Sequence, residues 1–350
     1  MKIREKYMRR CMQLAKNSWP SAAPNPMVGS VVVHQDRIIG EGYTSAYGGP
    51  HAEVNAIGSV TDSSLLVEAT LYVSLEPCSH FGKTPPCTDL IIKNNIPEVV
   101  IGVRDPNKIV AGSGIEKLRK AGCNVIEGVL EKECRELNRR FFTFHQEKRP
   151  FIILKWAQTS DGFIAPEDSV RNDNPEPYWI SNSYSRQLVH QWRSQEQAIL
   201  VGTNTVIHDN PGLSTRLWFG KSPTRVILDR ELKIPEHFRI MDQGSKTIVL
   251  TEVNDPTRYL EGIQYHQVDF SKNIAEQACQ ILWENNVLSV VVEGGAKTLE
   301  IFITSGLWDE ARIFTGQAAF SSGLKAPNIN GVVFDQVTIG TDKLEYLRHD

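Results

Sequence analysis

The chain alternates between short apolar runs of strand length and longer stretches whose apolar residues recur at helical spacing. Residues 2–17 interleave apolar side chains with Lys, Arg and Glu, which predicts a charged amphipathic helix. VGSVVVHQDRIIGEGY (28–43) is two apolar runs around His34-Gln35-Asp36-Arg37 and reads as a hairpin. Helices are predicted to start at His51 and around Cys87. Between them the strand TLYVSLE (70–76) leads into Cys78. A strand over 98–103, a helix over 113–122, a strand over 124–128 and a helix over 130–146 complete the first half. Strands alternating with helices in this way predict a three-layer α/β domain.

Glu147-Lys148-Arg149-Pro150 is a charged break before a fresh strand, FIILKWA (151–157). It divides the chain into expected domains of 1–146 and 147–350. The second half alternates again, with strands predicted over 197–202, 224–229, 246–251 and 287–295. Helices are expected near 183–193, 271–285 and 296–305, which makes this half a second α/β domain. A length of 350 residues is enough for two independent cores.

Composition narrows the setting more than the chemistry. Lys plus Arg number 38 against 41 Asp plus Glu, a net charge of −3. No sequence-wide attraction to nucleic acid or an anionic membrane is expected from that balance. No apolar stretch approaches membrane-spanning length. The first 19 residues lack the apolar core of a signal peptide. The six cysteines are sparse and irregularly spaced, which argues for a reducing compartment such as the cytoplasm.

The candidate chemistry of the first half lies in His51-Ala52-Glu53, Pro77-Cys78 and Cys87. One imidazole and two thiols suit a tetrahedral zinc, and three protein ligands leave a fourth position open for water. Glu53, two residues from the imidazole, is placed as a non-ligating carboxylate that moves protons. H-x-E followed by P-C is part of the zinc nucleobase-deaminase signature. Two ligands at predicted helix starts would meet the positive ends of helix dipoles, which favour thiolates. A structural zinc would instead need a fourth protein ligand, which His80 could supply. Cys11, Cys123, Cys134 and Cys279 have no ligand neighbour at metal spacing and read as ordinary core or surface residues. Eight residues separate the two cysteines where many zinc deaminases have two. Lys83 and His80 in that loop suit a phosphorylated substrate.

The first half closely resembles the deaminase domain of the bifunctional riboflavin-biosynthesis deaminase/reductase family. The resemblance rests on Pro24-Asn25-Pro26, Val28-Gly29, Gly49-Pro50-His51-Ala52-Glu53, the run LEPCSHFGKTPPC (75–87), Asp105-Pro106-Asn107, Gly112 and Gly114. It implies a cytidine-deaminase-like domain, with His51, Cys78 and Cys87 as zinc ligands and Glu53 as proton shuttle. Asn25 and Lys83 fall at its substrate site. The implied substrate is 2,5-diamino-6-ribosylamino-4(3H)-pyrimidinone 5′-phosphate, deaminated at C2.

In the second half Ser160-Asp161-Gly162, QAILVGTNT (197–205), Asp209-Asn210-Pro211, Leu213-Ser214-Thr215-Arg216 and Glu293-Gly294-Gly295 resemble the reductase domain of the same family. Small residues that end a strand and open a helix admit a nucleotide phosphate. No G-x-G-x-x-G is present, which argues against a Rossmann domain. The resemblance implies a dihydrofolate-reductase-like fold, NADPH, and reduction of the ribosyl group to ribityl. It puts Ala157, Trp179, Thr205, Asp209 and the run Gly295, Ala296, Lys297, Thr298, Leu299, Glu300 and Ile301 at the cofactor. It puts Arg193, Leu213, Arg216 and Glu293 at the substrate, the two arginines as partners for a 5′-phosphate. Two departures stand out. Pro177 occupies the place of a substrate-binding Ser, a contact either lost or supplied by a neighbour such as Ser181 or Asn182. Arg230 replaces a frequent Ser and is either a holder of the NADPH 2′-phosphate or a surface residue.

The leading expectation is therefore a cytoplasmic bifunctional enzyme, homo-oligomeric by family habit, acting on a small phosphorylated pyrimidine without nucleic-acid or membrane partners. Two alternatives stand beside it: an active deaminase with a catalytically altered, dimerising second half, and a tRNA base deaminase.

Overall fold

The computed structural model describes residues 5–81, 85–107, 111–167 and 175–349. They form two compact units, Met1–Lys148 and Arg149–Asp350.

The first unit opens with α1 (Glu5–Ala15), followed by the hairpin of β1 (Gly29–His34) and β2 (Arg37–Tyr43). Gln35 and Asp36 both take positive φ, the backbone a tight two-residue hairpin turn requires. Then come α2 (Ala52–Gly58), β3 (Thr70–Leu75), α3 (Cys87–Lys93), β4 (Glu98–Val103), α4 (Ser113–Lys120), β5 (Asn124–Ile126), α5 (Glu131–Leu137) and α6 (Arg139–Glu147). The sheet order is β2-β1-β3-β4-β5. β1 runs antiparallel to β2 and β3, while β3, β4 and β5 are parallel. Every residue of the central strand β3 is buried, as expected for a strand covered on both faces. Helix α1 packs on β1 and β3, and α2 on β1 and β2.

The sequence predicts one helix over 130–146, but the structure breaks it at Asn138. The Asn138 amide donates to the Met27 carbonyl and accepts the Met27 N–H, both at 2.8 Å. This buried side chain ties the last helices to the loop that enters β1.

The second unit contains β6 (Phe151–Gln158), β7 (Phe163–Ala165), α7 (Ser183–Gln195), β8 (Ala198–Gly202), α8 (Thr203–Asp209), β9 (Thr224–Leu228), β10 (Thr247–Thr251) and β11 (Gln264–Gln267). It continues with α9 (Ile274–Glu284), β12 (Ser289–Glu293), α10 (Ala296–Thr304), β13 (Glu310–Thr315), β14 (Leu324–Lys325), β15 (Val332–Ile339) and β16 (Asp342–Arg348). Nine strands form one sheet in the order β11-β10-β9-β8-β12-β6-β13-β16-β15. It is parallel from β11 to β13 and antiparallel through β16 and β15. Alternate residues of β8 and β9 enter opposite cores. Ala198, Leu200, Val226 and Leu228 pack toward α9 and α10, while Ile199, Val201 and Ile227 pack toward Phe238 and Ile240. Asn182 caps α7 and Asn273 caps α9 through their side-chain oxygens, but α2, α3 and α10 begin with no side-chain cap. Among the described residues no helix is long and apolar enough to cross a membrane.

Candidate active sites

In the first unit three elements converge. β3 delivers its chain through Pro77 to Cys78, His51 is the N-cap of α2, and Cys87 is the first residue of α3. His51 Nδ1 lies 3.5 Å from Cys78 Sγ and 3.4 Å from Cys87 Sγ. The three ligand atoms all fall within 4.8 Å of one another. The Cys87 N–H donates to Cys78 Sγ at 3.3 Å, and the Thr88 N–H donates to the Cys78 carbonyl. The Cys87 thiol and N–H, with the His51 ring, hold the Cys78 thiol down at about 4, and the Cys87 thiol is pushed up in turn. An imidazole nitrogen beside two thiols is a donor set that fits zinc. His80 is exposed and outside this group, so the described residues supply three ligands rather than four. None of the other four cysteines joins it, and Cys11, Cys134 and Cys279 are buried.

Glu53 sits in the first turn of α2 and is buried. Burial pushes its carboxyl up to about 7, with the Cys78 charge adding to the effect and the His51 ring opposing it. Asn25 is half-buried in the loop between α1 and β1, where its N–H donates to the Ala22 carbonyl. Lys83 lies outside the described residues.

Sequence reasoning overlooked Glu76. Its buried carboxylate accepts four backbone N–H groups: Asp105 at 3.2 Å, Gly112 at 3.0 Å, Gly114 at 3.1 Å and Ile115 at 3.3 Å. The start of α4 is thereby fastened to the turn that carries Cys78. A Cβ on Gly114 would lie 2.1 Å from the Pro77 carbonyl oxygen, so only glycine permits this approach. Glu76→Gln would turn an amide NH₂ toward donors that need an acceptor. The expected result is a loss of about 3 kcal/mol, from weakened charge-assisted bonds and unpaired N–H groups, seen as a lower melting temperature of the first unit. An unchanged melting curve would show that the cradle contributes little.

The second unit has a cavity of about 830 Å³ at the carboxyl ends of its parallel strands β6, β8, β9 and β12, where open α/β sheets place their ligands. Ala157, Trp179, Arg193, Thr205, Asp209, Leu213, Arg216, Glu293, Gly295, Ala296, Lys297, Thr298 and Ile301 line it. Leu299 and Glu300 do not: Leu299 is fully buried in the core and Glu300 faces solvent. The run 295–301 is largely helical, so its residues point in different directions and cannot all meet one ligand.

Several contacts shape this cavity. Gly294 takes φ 121°, and a Cβ there would come within 2.6 Å of Thr205 Oγ1. The Gly295 N–H donates to that same oxygen at 2.9 Å. Glu293 bonds Arg193 at 2.9 Å and stands 3.9 Å from Lys155. These two cations outweigh the cost of burial and hold the Glu293 carboxyl down at about 2. The Arg186 guanidinium lies 4.6 Å from the Trp179 ring centre. Of the two possible stand-ins at the Pro177 position, Ser181 lines the cavity. Asn182 is committed to α7 and to the Ile339 carbonyl. Arg230 is exposed, paired with Glu252 at 2.7 Å, and does not line the cavity. Lys155, His190 and Arg239 also line it. No motif exposes them, because only the fold assembles them from separate segments.

A zinc-type donor set in an α/β unit, followed by a unit with a nucleotide-sized cavity, defines a two-site enzyme of the deaminase and reductase type. Comparison with known proteins agrees. Residues 1–103 match the cytidine and deoxycytidylate deaminase zinc-binding region, and residues 150–320 match the RibD C-terminal domain. The riboflavin biosynthesis protein RibD of Aquifex aeolicus is 40% identical over 99% of this chain and 97% of its own. That of Synechocystis is 39% identical over 95% and 89%. A Thermotoga maritima crystal structure superposes with a TM-score of 0.87 at 39% identity, covering 99% of this chain and 98% of that one. It is of a diaminohydroxyphosphoribosylaminopyrimidine deaminase/5-amino-6-(5-phosphoribosylamino)uracil reductase. The chain belongs to the RibD family of bifunctional riboflavin-biosynthesis deaminase/reductases. It joins a zinc-binding, cytidine-deaminase-like unit to a reductase unit of the RibD type, which uses NADPH. Neither the tRNA deaminase nor the altered second half is favoured by this result.

Proposed function

We propose that this chain deaminates 2,5-diamino-6-ribosylamino-4(3H)-pyrimidinone 5′-phosphate at C2 in its first unit and reduces the ribosyl group of the product to ribityl in its second. The observation that carries the first step is the His51, Cys78 and Cys87 group with buried Glu53 beside it. These three residues would hold zinc, which when bound acts as a Lewis acid toward water. Glu53 accepts one proton from the attacking water and passes it to the ring nitrogen, then carries the second, from the added hydroxyl, to the departing amine. Its burial keeps bulk water from competing for that proton.

In the second unit the uncapped start of α10, just after the Gly294-Gly295 turn, offers its first backbone N–H groups to the cofactor phosphates. NADPH when bound supplies the hydride. Arg193 and Arg216 take the substrate phosphate. Glu293, tied to Arg193 and Lys155, fixes the polar end of the cavity nearest the cofactor turn.

We also infer a homo-oligomer working in the cytoplasm, where thiols stay reduced and NADPH is plentiful. Strand β15 supports the oligomer. It is an outer strand whose Val332, Val333, Phe334 and Val337 are all exposed, a surface that a lone chain would ordinarily shield.

Mixing the protein with the diaminopyrimidine ribosyl phosphate and NADPH tests both steps at once. Ammonia release with loss of NADPH absorbance is expected. Ammonia without NADPH loss would reject the second step, and neither signal would reject the proposal.

A further inference from the structure

Helix α7 presents His190 and Arg193 one turn apart, on the face that lines the cavity. The His190 ring is 4% exposed. Among the described residues, neither its Nδ1 nor Arg193 Nε has a hydrogen-bond partner. A buried polar atom left unpaired costs about 1–3 kcal/mol. Both atoms are buried on side chains that line the cavity, where a ligand oxygen reaching them would supply the missing partners.

The charges nearby define that ligand. Arg216 lines the cavity and has its guanidinium pKa lowered, by burial first and then by Arg193 and Arg239. Among the described residues neither Arg216 nor Arg239 takes part in a salt bridge, whereas Arg193 is paired with Glu293. The Arg239 N–H donates to Asn210 Oδ1 at 2.8 Å, and Asn210 itself is held at φ 39°, which fixes the arginine's segment to the cavity rim. Three guanidinium groups around one carboxylate leave an uncompensated positive surplus suited to a dianion with several oxygens.

We propose that His190 and Arg239, with Arg193 and Arg216, form the receptor for the substrate's phosphate, and that His190 binds it as an imidazolium. This rests on the reductase reading given above. The groups facing His190 are Arg193 on its own helix, Arg216 and the Ser214 carbonyl on the loop after α8, and Glu293 at the end of β12. Burial and the two arginines hold the ring down at about 4, so it is neutral near pH 7 when no anion is bound. A phosphate dianion among the same groups reverses the sign of the local field, and the ring takes up a proton as the ligand binds. The cofactor's phosphates have separate donors at the start of α10, so the receptor is assigned to substrate.

The test uses the full-length protein, the deaminated ribosyl phosphate and its dephosphorylated counterpart. His190→Gln and Arg239→Gln should each raise the reductase KM for the phosphorylated compound about tenfold, equivalent to one hydrogen bond to a charged group, with a smaller change in kcat. For the dephosphorylated compound, wild type and variants should share one KM, and the KM for NADPH should not move. Calorimetry in two buffers of different ionisation enthalpy should register proton uptake on binding in wild type and none in His190→Gln. Equal KM for the phosphorylated compound in wild type and His190→Gln overturns the proposal. So does an equal loss with the dephosphorylated compound, and so does a shift confined to NADPH. Wild type that binds with proton uptake yet leaves NADPH unoxidised keeps the receptor and removes the reductase reading.

Discussion

Replacing Glu53 by glutamine is expected to lower ammonia release about 10³-fold while zinc stays bound. Glutamine keeps the size of the side chain and its place in the first turn of α2. It cannot accept and return the two protons that hydrolytic deamination must carry in turn from water to the ring nitrogen and to the amine. The proposed metal group is His51, Cys78 and Cys87, none of which is altered. Metal content by atomic absorption and ammonia release on the same preparation separate the two quantities. Near-normal ammonia release would exclude Glu53 as the shuttle. Loss of zinc along with activity would give it a structural role instead.

Cys87→Ser has the opposite signature. Cys87 is wholly buried, opens α3, and gives both its thiol and its N–H to the group around Cys78. A serine hydroxyl is a poor substitute for a thiolate toward zinc. Outer partners of metal ligands alone are worth about 10–100-fold in affinity, and a ligand itself should be worth more. Dialysed protein is therefore expected to hold less than about one tenth of the wild-type zinc, with deamination lost in proportion. NADPH oxidation with the deaminated compound should persist, because the second unit has its own sheet and core. Full zinc occupancy after dialysis would take Cys87 out of the ligand set.

The parts legible in the sequence are those fixed by short-range pattern. The β1–β2 hairpin, β3 running into Cys78, and the helix starts at His51 and Cys87 all carry local signals. The break at Asn138 is invisible to such signals, because helical spacing continues across it and the bond that makes it reaches Met27, 111 residues away. Strand β15 was also missed. All its residues but Ile339 are exposed, so it lacks the alternation that marks a half-buried strand. Arg193 and Arg216 were accessible through resemblance alone. His190, Arg239 and Lys155 come to the same cavity from α7, a short turn after β9, and β6, and no spacing rule joins them. Leu299 and Glu300 lie off the cavity although their neighbours line it, because the contiguous run is wound into a helix.

Helices α2, α3 and α10 all begin at one of the two sites, and none has a side-chain cap. A cap is worth about 1 kcal/mol, and a metal or phosphate bound at these first turns would meet N–H groups that no side chain satisfies. Bound zinc and NADPH therefore supply part of the protein's own stability margin. In a cell short of either, the chain would be lost to unfolding and proteolysis as well as idle, so its abundance would follow the supply of the groups it uses.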